Sequence, residues 1–310
     1  MRALVYAYQE IGYLCLEELL RNKVEVAALI THPDDPHEEI WFPSVAKLAR
    51  AHNIPVHETD EVKDPRWHEL AKSYEPQLIF SFMFRRMIST DTLALAPGGA
   101  FNIHPSCLPK YRGRCPTNWA LVNGETETGV TLHEMVRRAD AGAIVAQERV
   151  AIGPDDDIAD LYRKLGQAAP VMLARALPDI IAGDYPRLPQ DEAAATKFGG
   201  RRPSDGKLEW GWPAQRIHNL VRAVAHPYPG AFYGDGDKQV FVWKTSLSGV
   251  AQKAEPGTVL ELNPLRISAG EGASIDIIKI QARGGKEMTG ADFAVAAGLR
   301  KGFKIDQETK

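Results

Sequence analysis

Residues 1–31, MRALVYAYQEIGYLCLEELLRNKVEVAALIT, set an apolar run, a helical repeat and a second apolar run in succession. Residues 4–8 (LVYAY) read as a buried strand, with Gly12 in the turn that follows and a helix over 14–22. Residues 24–31 (VEVAALIT) form a second strand, apolar at nearly every position, as a strand covered on both faces should be. The pattern repeats outward, with a helix over 44–52, a short strand at 55–57 and a helix within 64–73. Two further strong strands follow, LIFSF at 78–82 and AFNIH at 100–104. Strands and helices alternating at this spacing predict a right-handed parallel α/β sheet.

That fold class is Rossmann-like in the broad sense. The first domain is expected to span 1–189, adding a helix at 116–122, strands at 130–135 and 144–152, and a long helix over 157–181. Residues 183–206, GDYPRLPQDEAAATKFGGRRPSDG, are dominated by Pro, Gly and charge, and 190–205 is read as a linker. Past it come a helix at 214–225, the turn-rich HPYPGAFYGDGD at 226–237, and short strands at 240–245, 257–262, 265–269 and 274–282. These predict a small OB-like β-barrel domain over 206–310.

Composition excludes some classes of partner. Lys and Arg number 37 against 40 Asp and Glu, a net charge of −3, which disfavours a generally basic nucleic-acid binder. No apolar run approaches the roughly 18–20 residues that span a bilayer, so no membrane insertion is expected. The first twelve residues turn polar too soon for a secretory signal, and the expected location is cytoplasmic. Cys15, Cys107 and Cys115 show no CxxC spacing, so neither a disulfide framework nor a zinc ribbon is indicated. His133 beside Glu134 does not make a metal site, and His37, Glu38 and Glu39 read as a solvated loop, so no metal is expected. No GxGxxG follows the first strand, and no GxxxxGK[ST] is present.

Residues 100–119, AFNIHPSCLPKYRGRCPTNW, run from a strand end into a loop rich in Pro, Gly and basic side chains. Ligands of parallel sheets bind beyond the carboxyl ends of the strands, which is where this loop begins. Alternation puts Asn102 and His104 on one face and Ile103 on the other. An amide there can donate to an oxygen gaining negative charge, and an imidazole can move a proton near neutral pH. A surface histidine and a turn-forming asparagine remain the plainer alternative. Asp140, in RRADAGAI at 137–144, lies in a Gly-containing turn between two predicted strands. A carboxylate near His104 would favour its protonated form or fix its tautomer. Spacing alone does not show that the two meet, and an ordinary turn role stays open. Cys107 and Cys115 flank the basic loop 110–114, which could lower a thiol pKa. Arg201 and Arg202 fall at the expected domain junction, where they could grip a pyrophosphate or simply be a solvated pair.

FNIHPSCLPKYRGRCPTNW (101–119) resembles the signature loop of the 10-formyltetrahydrofolate-dependent formyltransferases, and GVTLHEMVRRADAGAIVAQ (129–147) resembles their second conserved block. AYQEIG, NGETETGVTLH and LEW…HNLVRAVAHPYPGAF extend the likeness over essentially the whole chain. It is closest to the formyltransferase part of the bifunctional polymyxin-resistance enzymes of lipid A modification. The resemblance implies Asn102 as stabiliser of the oxyanion, His104 as proton carrier and Asp140 as the group that orients it. It also implies a folate cosubstrate, 10-formyltetrahydrofolate, held by Arg86, Met87, Ile88, Arg114 and the loop Val136, Arg137, Arg138, Ala139 and Asp140. Phe82, Met83 and Phe84 would suit the faces of a pterin, with core packing the alternative for each.

The expected reaction moves a formyl group to the amine of a UDP-linked 4-amino sugar, UDP-4-amino-4-deoxy-L-arabinose. Methionyl-tRNA formyltransferase is the nearest alternative. Residues 204–310 carry 14 Lys and Arg against 12 Asp and Glu, less basic than a tRNA-gripping domain should be. Arg114 also stands where the tRNA enzymes usually carry a small residue. A folate- or nucleotide-binding protein without catalysis is a third reading, disfavoured because mere binding has no need of all three side chains. Lys310 comes before any decarboxylase unit could begin, so oxidative decarboxylation is not expected, and a separate decarboxylase partner is left undetermined.

Overall fold

The computed structural model describes residues 1–34 and 40–305, so the loop expected at His37, Glu38 and Glu39 lies outside the described residues. The chain forms two compact units, one of residues 1–116, 127–151 and 162–199, the other of 117–126, 152–161 and 200–310.

The first unit is built on a seven-stranded sheet. Its strands are β1 (Arg2–Ala7), β2 (Glu25–Thr31), β3 (Val56–Glu58), β4 (Leu78–Phe82) and β5 (Ala100–His104). After the two-residue β6 (Arg112–Gly113), the sheet resumes with β7 (Glu127–Glu134) and β8 (Ile144–Ala151), giving the order β3-β2-β1-β4-β5-β7-β8. Leu4, Leu29, Ile30, Leu78, Phe80, Phe82 and Phe101 have essentially no exposure, as the continuous apolar runs require. Each such side chain contributes roughly 1.5–3 kcal/mol by leaving water.

Helix termini follow local chemistry. The helix α1 (Gln9–Arg21) precedes α2 (Val45–Ala51), where the Ser44 hydroxyl accepts from the Lys47 N–H at 3.3 Å. In α3 (Pro65–Ser73), the Asp64 carboxylate accepts from the Arg66 N–H at 2.9 Å, and Pro65 occupies a first-turn position that needs no donor. Three short or shared helices complete the set: α4 (Thr90–Leu93), α5 (Pro116–Val122) and α6 (Ile158–Ala182).

Two expectations are corrected here and one is sharpened. Gly12 lies inside α1 rather than in a turn before it, because the helix starts directly after β1. A Cβ at Gly12 would stand 3.2 Å from the Phe82 carbonyl oxygen, so glycine there permits close helix–sheet contact. The expected parallel sheet is present from β3 to β5, and beyond it β7 runs antiparallel to both β5 and β8. The loop 135–143 that joins β7 to β8 is too short for the crossover that parallel neighbours need. Finally, part of the stretch read as a linker, 190–198, is a mostly exposed strap hydrogen-bonded along the first unit. Its β9 (Lys197–Phe198) pairs in parallel with β6, and just upstream Leu188 exchanges two backbone hydrogen bonds with Ile144. Polarity and proline fitted a linker, yet Gln190, Glu192 and Thr196 have partners within the first unit.

The second unit carries α7 (Ala214–Ala223) and an antiparallel sheet. Its strands are β10 (Ala231–Tyr233), β11 (Val240–Leu247), β12 (Val259–Leu262), β13 (Leu265–Ser268), β14 (Ser274–Ala282) and β15 (Met288–Thr289). The order is β10-β11-β14-β13-β12, with β15 beside β14, the small antiparallel β domain that the short strands predicted. β10 arises within the turn-rich 226–237 segment, and α8 (Gly290–Ala296) is an element the sequence reading lacked. Among the described residues, no helix is long and apolar enough to cross a membrane.

Candidate active site

The carboxyl end of β5 places Asn102 and His104 on one face, and the β7–β8 loop brings Asp140 to them. His104 is 5% exposed, and its Nε2 lies 2.8 Å from the Tyr111 carbonyl oxygen. A carbonyl only accepts, so that nitrogen carries a proton and the neutral ring leaves Nδ1 as the basic atom. Nδ1 faces the Asp140 Oδ1 at 3.6 Å, a charge contact rather than a hydrogen bond. Asp140 has a φ of 56°, in the left-handed region. Its Oδ2 accepts from the Gly113 N–H at 2.8 Å, which fixes the carboxylate. The two groups that sequence spacing left apart therefore meet.

Asn102 has its own partner, which the sequence reading had set aside. Its amide nitrogen lies 3.1 Å from His133 Nε2. His133 Nδ1 donates to the Glu134 carbonyl at 2.8 Å, so Nε2 of the neutral ring accepts and the Asn102 NH₂ must point toward it. Burial pushes the His133 pKa down to about 4, against an upward pull from Asp140, whose Oδ1 lies 3.7 Å away. At neutral pH His133 is uncharged, and it sets which end of the Asn102 amide faces the site. One amide N–H and Oδ1 remain for a ligand. The only sequence signal was the two-residue register of TLHE, which places His133 opposite Asn102 once β7 is paired antiparallel with β5.

Arg112 is a residue the sequence reading did not single out. Its side chain is 7% exposed and donates to Gln190 Oε1 at 2.9 and 2.6 Å, and to Glu192 at 3.2 and 2.9 Å. The guanidinium of Arg112, then that of Arg138, holds the Glu192 carboxyl down to about 2.

The residues expected around a folate separate into exposed and buried groups. Arg86 and Met87 are half exposed, Arg86 lying 3.5 Å from Asp60, while Ile88 is buried. Arg114, Val136, Arg137 and Arg138 are exposed, and Ala139 and Asp140 half-buried. Phe82 is wholly buried against Phe80, so it belongs to the core and offers no ring to a ligand. Phe84 stacks on His32 at 4.2 Å, and Met83 is half-buried. Arg201 and Arg202 belong to the second unit, where Arg201 donates to the Asp205 carbonyl and lies 4.7 Å over the Trp119 ring. The Cys107 thiol is not activated by the basic loop, because burial pushes it up to about 11. Among the described residues, no group of three His, Cys, Asp or Glu could hold a metal ion.

A proton acceptor beside a fixed carboxylate, and an oriented amide on the same strand face, suit the transfer of an acyl group between nitrogens. A family model described as formyl transferase matches residues 8–177, and a second, formyl transferase C-terminal domain, matches 201–298. Among solved structures, the fold is similar to WlaRD, a sugar 3N-formyl transferase determined with dTDP and 5-N-formyl-THF. That likeness has 23% identity and a TM-score of 0.68, over 89% of this chain and 97% of that one. An N-formyltransferase from Helicobacter canadensis, in complex with folinic acid and dTDP-3-aminofucose, is 21% identical with a TM-score of 0.70, over 89% and 98%. A sugar N-formyltransferase from a Shewanella species is 20% identical with a TM-score of 0.62, over 78% and 96%.

Proposed function

The chain belongs to the formyl transferase family, and we propose that it transfers a formyl group from 10-formyltetrahydrofolate to the amine of a nucleotide-linked amino sugar. The observation that carries this reading is the convergence of Asn102, His104 and Asp140 on one strand end. The surrounding residues fit a folate. The exposed guanidiniums of Arg86, Arg114 and Arg137 suit its carboxylates, and the backbone of Val136–Asp140 suits hydrogen bonds to a pterin. The folate supplies the formyl carbon and, in tetrahydrofolate, the leaving group.

The chain's own residues then have defined tasks. The amide N–H of Asn102 not directed at His133 donates to the formyl oxygen as an incoming amine bonds to the formyl carbon. His104 Nδ1 takes the proton the amine gives up, while its Nε2–H stays on the Tyr111 carbonyl. The imidazolium so formed faces the Asp140 carboxylate. The same proton returns from Nδ1 to the departing folate nitrogen as the carbon–nitrogen bond breaks, so one imidazole serves as base and then acid.

For the acceptor we infer a UDP-linked 4-amino sugar, UDP-4-amino-4-deoxy-L-arabinose, in the cytoplasmic steps of lipid A modification that give polymyxin resistance. The support is the resemblance of loops 101–119 and 129–147 to that branch. Of the similar solved structures, one holds dTDP-3-aminofucose and another dTDP. A formyl-transfer assay across UDP-4-amino-4-deoxy-L-arabinose, dTDP-linked 3-amino sugars and methionyl-tRNA decides among them. Turnover greatest with the UDP sugar supports the inference, turnover greatest with a dTDP sugar moves the assignment within the class, and turnover only with the tRNA overturns it.

A further inference from the structure

We infer that the strap 188–198 is a positioning element of the active site, in which Gln190 holds Asp140 and Thr196 holds the carbonyl that orients His104. The inference rests on the catalytic assignment above, and it concerns a stretch lying between the two matched by the family models.

Each hydrogen-bond partner that fixes the catalytic pair is itself fastened to this strap. The Tyr111 carbonyl accepts from His104 Nε2, and the Tyr111 N–H donates to Thr196 Oγ1 at 2.8 Å. The Tyr111 ring stacks on Phe198 at 4.9 Å. Just beyond this tether, the Arg112 N–H donates to the Thr196 carbonyl and the Arg114 N–H to the Phe198 carbonyl. Gly113, whose N–H holds the Asp140 carboxylate, sits between those two bonds.

From the other side, Gln190 Nε2 donates to the carbonyls of Asp140 and Gly142, at 2.8 and 2.7 Å, and so spans the catalytic turn. Its Oε1 is fixed by buried Arg112, which leaves the amide no freedom to flip. Arg138, next but one to Asp140, pairs with Glu192. Tyr111 and Asp140, the two residues so held, both have φ near 60°, a conformation that side-chain-bearing residues keep only when their surroundings impose it. Dense bonding to two strained residues, each one contact from the imidazole, is what a positioning device requires and a tether between domains does not.

The test compares Thr196→Val, which removes the Oγ1 acceptor at nearly constant volume, with Thr196→Ser, which keeps it. Formyl-transfer kcat should fall on the order of ten-fold or more for valine, with the folate KM little changed, and should return to within about two-fold for serine. Gln190→Met should lower kcat comparably, yet cost less than about two-fold once Asp140→Asn is already present, because both act through one group. Thr196→Val and Gln190→Met at wild-type kcat, with only the melting temperature lowered, would show a purely structural strap and overturn the inference. Equal losses for Thr196→Val and Thr196→Ser would also overturn it. A wild-type chain that transfers no formyl group to any amine overturns the catalytic assignment itself, and the role of the strap with it.

Discussion

Asp140→Asn separates charge from geometry at the site. An asparagine side-chain oxygen can still accept the Gly113 N–H that now reaches Asp140 Oδ2 at 2.8 Å, so the loop should keep its shape. What disappears is the negative charge 3.6 Å from His104 Nδ1, the atom proposed to take the proton from the amine. Two unit charges at that distance interact by about 1 kcal/mol in water and about 4–5 kcal/mol at an effective dielectric of 20. The carboxylate is 14% exposed and the imidazole 6%, which places the pair between those limits. Loss of 1–4 kcal/mol of stabilisation for the imidazolium lowers kcat by roughly five-fold to a thousand-fold at 1.4 kcal/mol per decade. The assay is steady-state formyl transfer at saturating donor, with the melting temperature measured in parallel. A variant that melts like the wild type and turns over within two-fold of it would refute the reasoning, because the carboxylate would then do nothing electrostatic.

Asn102→Ala should lower kcat by about two to three decades while leaving donor binding nearly intact, measured as kcat against the dissociation constant for a formylfolate analogue. His133, held down to about 4 by burial, is neutral in the folded chain where its unfolded counterpart begins to protonate near pH 6.5. The unfolded state thus binds the extra proton, so stability should fall as pH drops from about 6.5 to about 4, by up to ~3 kcal/mol from this group. Urea titrations at pH 7 and pH 4.5 should show that loss shrinking in His133→Gln, and an unchanged loss would contradict it. Gly113→Ala would bring a Cβ within 2.3 Å of the Phe198 carbonyl oxygen, at a φ of 102°, and should destabilise the chain by about 2 kcal/mol or more in urea titration. The thiol of Cys107, pushed up to about 11, should alkylate far more slowly at pH 8 than free cysteine, as read by mass spectrometry of its peptide.

The elements legible in the sequence were those whose periodicity is local. LIFSF and AFNIH gave β4 and β5 at their true bounds, and Ser44 and Asp64 marked helix starts, because strand burial and N-capping are written within a few residues. The direction of β7 was not legible, since an apolar run reads alike in either direction, and the short loop 135–143 settles only that β8 runs back against β7. Gly12 misled because a glycine that serves close packing looks like one that serves a turn. At the site, Asn102 and His104 followed from strand alternation, and Asp140 from its family resemblance. His133 and Gln190 did not, because their meaning lies in partners 31 and 50 residues away. Polar, proline-bearing sequence looks the same in a solvated tether as in a strap where Gln190, Glu192 and Thr196 bond to their own unit.

The central claim is that His104, in contact with Asp140 and beside Asn102, carries the proton between two nitrogens during formyl transfer. Transfer of a labelled formyl group from 10-formyltetrahydrofolate to the amino sugar, in single turnovers with wild type and with His104→Ala, tests it most directly. The account predicts rapid labelling by the wild type and a loss of about 100-fold or more in the variant, with folate still bound. Labelling by His104→Ala at a rate close to that of the wild type would contradict it.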